Sequence, residues 1–203
     1  KLEGTHNCIQ KRSYPSSLFL NNSRNNFERK RKAFTGVKNL TIITPSNWLA
    51  GLVKQSFLGE YRIKIINNGI DLNLFKPIAS NFREKYKINN KFIILGVANV
   101  WNQRKGFKYF IELSKILNQD ETIVLVGLSK EQIKHLPENI IGVARTNSIK
   151  ELAEIYSTAD VFVNPTLEDN FPTTNIEALA CGTPVITFDT GGSIESIDKS
   201  CGV

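Results

Sequence analysis

The sequence predicts an α/β chain whose larger part is a doubly wound parallel sheet, and three observations carry that prediction. Five short, continuous apolar runs follow one another from residue 92 onward. Helical stretches separate them, and the runs lack the alternation of a half-solvated strand, so they read as strands buried on both faces. In such a sheet, ligands sit beyond the C-terminal ends of the strands.

The runs are FIILGVA (92–98), TIVLV (122–126), IIGVA (140–144), DVFVN (160–164) and PVITF (184–188). Between them lie helices expected at Phe107–Leu117, Lys130–Leu136, Ser148–Ala159 and Thr174–Cys181; the third opens with Ser148 and Glu151 spaced as a capping box. The first 75 residues do not close a core alone. They offer a basic helix at Ser23–Phe34, a strand at 39–45, a helix from Ser46 to Ser56, a strand at 62–66 and the turn NNGID (67–71). This predicts the tail of another α/β domain over residues 1–75, ending in a linker near Leu72–Pro77, and a second domain over 76–203. The stretch after Phe188 leaves a helix and a turn with nothing following to pack on them, so the C-terminus is expected to be truncated. Met is absent, position 1 included, and the chain is expected to be a portion of a longer protein.

With 203 residues, 41% of them hydrophobic, one full core and part of a second can be buried. No apolar run approaches the roughly 18 residues of a membrane span, and no signal peptide is visible; a soluble, cytoplasmic protein is expected. Cys8, Cys181 and Cys201 are odd in number and far apart, with only His6 and His135 beside them, which supports neither a disulfide framework nor a zinc site. The net charge of +7 is uneven: residues 1–76 hold 13 Lys and Arg against 4 acids, residues 77–203 hold 13 against 15. SRNNFERKRKAF (Ser23–Phe34) is its centre. Its phenylalanines, Phe27 and Phe34, either tuck inward under a solvated basic face or rest with it on anionic lipid at the inner face of the cell membrane.

The chemistry gathers after the fourth run. Pro165 ends DVFVN, and the loop Thr166–Thr173 lies on the ligand rim. The next helix starts near Pro172–Thr174, where proline suits a first turn and free N–H groups attract anions. Glu168, Asp169 and, in the expected first turn, Glu177 add carboxylates. A ligand carrying both hydroxyls and phosphate would use both kinds of group, since a carboxylate can accept from adjacent ribose hydroxyls. Equally, Thr174 and Glu177 have the spacing of a capping box, and Asp169 could simply cap the loop. After the first run, Arg104 and Lys105 precede Gly106 at a helix start, as a phosphate clamp or as surface cations. The Gly-Gly of DTGGS marks either a close backbone approach or a tight turn.

Taken in order, TIITPSNWL, NNGIDLNLF, GVANVWNQRKGFKYFIEL and ELAEIYSTADVFVNPTLEDNFPTTNIEALACGTPVITFDTGG resemble the group 1 glycosyltransferases, retaining enzymes of the GT-B architecture with two Rossmann-like domains. Members that build bacterial surface polysaccharides are closest in look. The resemblance implies a donor-binding domain over 76–203 and the end of an acceptor-side domain over 1–75. The family signature is Glu, seven intervening residues, Glu; Asp169 and Glu177 have that spacing, with aspartate first unless Glu168 takes its place. By resemblance Glu177 holds the ribose of a nucleoside diphosphate sugar, Asp169 reaches the donor sugar, and the stretch Asn170, Phe171, Pro172, Thr173 and Thr174 meets the diphosphate. Lys105 matches the family lysine. The family arginine five residues before it is Val100 here, and Arg104 stands next to the lysine instead. The family's histidine-bearing loop and first glycine-rich loop would lie upstream of Lys1, and His6 matches neither. The reaction implied is sugar transfer to a glycan or lipid-linked acceptor in polysaccharide or lipopolysaccharide synthesis. It needs no cofactor beyond the donor substrate and no metal. A non-catalytic nucleotide-sugar binding module is the alternative. A nucleic-acid binder is disfavoured by the acidic rim and the lack of interleaved aromatics.

Overall fold

The computed structural model describes residues 22–203, which divide into two units with the break between Ile66 and Asn67; His6 and Cys8 lie outside the described residues. In the first unit, α1 (Ser23–Phe34) buries no residue. Phe27 sets its ring edge-on to Phe57, with centroids 5.4 Å apart, while Phe34 stays 49% exposed. Only one of the two phenylalanines therefore tucks inward. β1 (Thr41–Thr44), α2 (Asn47–Lys54) and β2 (Arg62–Ile65) form one βαβ turn with the strands parallel. Ser46 starts α2 by accepting the Leu49 N–H at 3.2 Å, satisfying a donor the helix itself cannot.

The division falls before the linker expected at Leu72–Pro77. The physical reason is packing: Phe75 is buried, with its ring 6.4 Å from that of Tyr156, and the Asn68 amide donates to the Phe171 carbonyl at 3.0 Å. The NNGID turn thus belongs to the second unit.

That unit contains α3 (Phe82–Lys85), β3 (Phe92–Val97), α4 (Phe107–Leu113), β4 (Glu121–Val126), α5 (Lys130–Lys134), β5 (Ile140–Val143), α6 (Ile149–Thr158), β6 (Val161–Asn164), α7 (Thr173–Ala180) and β7 (Val185–Thr187). The five strands are parallel in the order β5-β4-β3-β6-β7. All five expected strands and the four helices between them are present, mostly trimmed by a few residues. Successive residues of the central strands feed opposite faces. Ile93, Leu95, Val124 and Val126 join Tyr156, Ala178 and Phe82 in one core; Ile94, Ile123 and Leu125 join Trp101 and Phe110 in the other. The unbroken apolar runs are thus the mark of a sheet covered on both sides.

Some details differ from expectation. α3 is too short to show a period; its Arg83 pairs with Asp160 at 2.7 Å. At Ser148 the box is half made, because the serine accepts from Glu151 N–H while the Glu151 carboxylate turns back to the Asn147 N–H. A complete box occurs at Ser129 and Gln132. Nor is the stretch after Phe188 left without packing. Ile197 rests against the core, and Cys201 and Val203 exchange backbone hydrogen bonds with Val185 and Thr187 beside β7.

Candidate functional site

The chain winds outward from β3 to β5 and then returns to β6, so β3 and β6 are neighbours whose following loops leave in different directions. This is the switch point of a doubly wound sheet, where a crevice opens. The two loops, 98–106 and 165–172, meet there. Gly106 adopts φ +78°, and a Cβ on it would lie 2.2 Å from the Pro165 carbonyl oxygen, so only glycine permits this approach. The Leu167 N–H then donates to the Arg104 carbonyl at 2.8 Å, and the Arg104 guanidinium donates to the Glu168 carbonyl at 3.0 Å. Lys105 Nζ reaches the Asp169 carboxylate at 2.6 Å, with both side chains largely shielded from water.

A third loop closes on the second. The Gly192 N–H donates to the Asp169 carbonyl at 2.9 Å, and Gly191, at φ +59°, lies so near that a Cβ would come within 2.1 Å of the same oxygen. The glycine pair of DTGGS is therefore a close backbone approach, made to the acidic loop. Beneath it, the Asn164 amide donates to Asn175 Oδ1 and the Asn175 amide to Ser196 Oγ, both at 2.8 Å. A buried amide chain with its partners supplied fixes the end of β6 against α7. Nothing in residue spacing marked it.

α7 begins at Thr173 with Pro172 as its cap residue and no side-chain cap. Thr174 is thus already helical, the Thr174–Glu177 capping box is not formed, and Glu177 lies in the second turn rather than the first. Its carboxylate instead accepts from the Tyr156 hydroxyl at 3.0 Å, and the Thr173 hydroxyl also favours its charged form. Burial pushes the Glu177 carboxyl above its ordinary range, and the two hydroxyls oppose that shift only in part. The partners of Glu177 are these hydroxyls, not the Lys105–Asp169 pair. Of the remaining candidates, Phe171 and Pro172 are buried, Thr174 is half-buried, and Glu168, Asn170 and Thr173 are exposed. Tyr156 escaped the sequence reading, although a tyrosine on the apolar face of a helix needs a hydroxyl partner and so gives a signal.

A raised carboxyl has a consequence for stability. Because folded Glu177 binds its proton more tightly than the unfolded chain does, its favourable contribution is complete below the ordinary carboxylate range and is lost as pH rises through the raised value. Glu177→Gln, neutral throughout, is expected to melt higher than wild type at neutral pH, with the difference vanishing near about pH 4. Thermal melts of both chains across pH check this; a constant difference would mean that the carboxylate is not strained by burial.

The strand order places the second unit in the class of doubly wound, Rossmann-like domains. Residues 91–203 match the family described as glycosyl transferases group 1, and the chain belongs to that family. It is 30% identical over 164 residues to the N,N'-diacetylbacillosaminyl-diphospho-undecaprenol alpha-1,3-N-acetylgalactosaminyltransferase of Campylobacter jejuni, covering 74% of this chain and 43% of that protein. Over 156 residues it is 26% identical to the UDP-Gal:alpha-D-GlcNAc-diphosphoundecaprenol alpha-1,3-galactosyltransferase of Escherichia coli, covering 70% and 40%. Among solved structures, Anabaena Alr3699/HepE in complex with UDP and glucose matches with a TM-score of 0.71 at 20% identity, over 86% of this chain and 50% of that one. The chain spans less than half the length of these two curated relatives. Its fold is the GT-B half that it shares with this solved structure.

Proposed function

We propose that the crevice at the β3/β6 switch point binds a nucleoside diphosphate sugar, and that the protein transfers the sugar, with retention, to a hydroxyl of a lipid-linked glycan or polysaccharide. The observation that carries this reading is the meeting of Lys105 and Asp169 at 2.6 Å beside the start of α7. A cation, a carboxylate and a helix N-terminus there match the phosphate, sugar and leaving-group charge of such a donor. In this reading Glu177 accepts from the ribose hydroxyls and Asp169, rather than the exposed Glu168, reaches the sugar. Lys105 exchanges Asp169 for the diphosphate as negative charge develops on the leaving group, and Arg104 adds to that field from the loop it braces. Two relatives with undecaprenol-linked compounds in their names support a lipid-linked acceptor. Among the described residues no helix is long and apolar enough to cross a membrane. The basic, wholly exposed face of α1 suits peripheral contact with anionic headgroups on the cytoplasmic side.

Calorimetric titration of UDP, GDP and ADP into the chain tests the site. At least one is expected to bind saturably, and Glu177→Ala is expected to weaken it by roughly 1–3 kcal/mol, the worth of a hydrogen bond to a charged group. Absence of binding by all three, or a Glu177→Ala chain that binds like wild type, would remove this crevice as the donor site.

A further inference from the structure

Building on that reading of Glu177 as the ribose-binding carboxylate, we infer that Tyr156 is its positioning residue, a buried phenol on α6 that fixes one oxygen of Glu177 from behind. Tyr156 is 0% exposed, so it cannot itself touch a ligand. Its place is over-determined. The ring meets Phe75 and Phe162 edge-on with centroids 6.4 and 5.6 Å away, and its carbonyl accepts the Thr183 hydroxyl at 2.6 Å. The one free degree, the direction of the hydroxyl, points 3.0 Å to Glu177 Oε2. A carboxylate so held loses little freedom on meeting a ribose, whereas an untethered glutamate must be ordered by the ligand.

A tyrosine that needed only a partner for its hydroxyl would be satisfied by a backbone carbonyl. Pairing it with an ionisable group is costly: burial pushes the Glu177 carboxyl up, and burial together with the charge of Glu177 pushes the Tyr156 phenol up. The groups facing Glu177 are Tyr156 from α6, Thr173 from its own helix and Cys181, the residue that ends that helix, whose thiol burial also pushes up. None is a cation. The hydroxyls favour the charged carboxylate against the effect of burial, and removing the phenol lets its proton bind more tightly still. Strained, ionisable groups of this kind are retained at working sites.

The test is titration of the tightest-binding of UDP, GDP and ADP, and of its 2′-deoxy counterpart, from about pH 5.5 to 8.5, a window above the ordinary carboxylate range. Tyr156→Phe is expected to lose roughly three- to tenfold in ribonucleotide affinity at the acid end, recovering as pH rises, with the deoxynucleotide little changed. Glu177→Ala is expected to erase the preference for the ribonucleotide at every pH. A Glu177→Ala chain that keeps the preference overturns the ribose reading and this inference with it. If Glu177→Ala erases the preference while Tyr156→Phe matches wild type throughout, or loses both ligands equally at all pH, the inference alone is overturned. Should Tyr156→Phe not fold, uniform replacement of tyrosine by 3-fluorotyrosine, a stronger donor of nearly the same size, is expected to move the pH midpoint of binding down. An unmoved midpoint overturns the inference equally.

Discussion

Lys105→Ala is expected to weaken nucleoside diphosphate binding by roughly ten- to a hundredfold, the worth of a charge-assisted hydrogen bond, while the bare nucleoside is little affected. The lysine sits on a loop held in place by the close approach of Gly106 to Pro165 and by the Leu167 N–H on the Arg104 carbonyl. Truncating its side chain therefore removes a charge without moving the backbone. Part of the attraction is screened, so the loss should shrink as salt rises. The pairing with Asp169 adds a second sign. Without ligand the two side chains neutralise one another at 2.6 Å, and a diphosphate must compete for the lysine. Asp169→Asn is thus expected to tighten binding of a diphosphate that carries no sugar. Calorimetry with diphosphate and nucleoside at two salt concentrations measures both variants. Equal losses of both ligands from Lys105→Ala would mean a collapsed pocket, and no loss of either would take the loop out of the site.

Gly127→Ala is expected to cost the fold roughly 3 kcal/mol or more, lowering Tm by on the order of 10 °C. Gly127 leaves β4 at φ +92°, a conformation that costs a side-chain-bearing residue about 1–3 kcal/mol. A Cβ there would also lie 1.6 Å from the Ala98 carbonyl oxygen, at the end of β3, so the strand ends that carry the rim must part. Gly182→Ala supplies the comparison. Its φ is +85°, but the first atom a Cβ would meet is Pro77 Cγ at 3.6 Å, so it bears the backbone strain without the clash. Thermal melts should rank Gly127→Ala well below Gly182→Ala; equal melting points would mean that β3 and β4 relax at no cost.

The sequence alone determined the parallel, doubly covered sheet, because continuous apolar runs such as TIVLV cannot face water on either side. It also located the rim, since Arg104, Lys105 and Asp169 follow runs whose C-terminal ends must point to one edge. The order of strands was decided only by the tertiary structure. That order makes β3 and β6 neighbours, and through them turns two distant loops into the 2.6 Å contact of Lys105 and Asp169. Glu177 shows the limit most plainly. Its spacing from Thr174 allowed a capping box, a local device that residue intervals can describe. Its actual partner is Tyr156, 21 residues earlier on another helix, and no periodicity relates the two. The domain boundary moved for the same reason, since Phe75 is drawn into the second core by contact with Tyr156. Periodicity reports which faces are buried, but only packing between elements decides which buried groups meet.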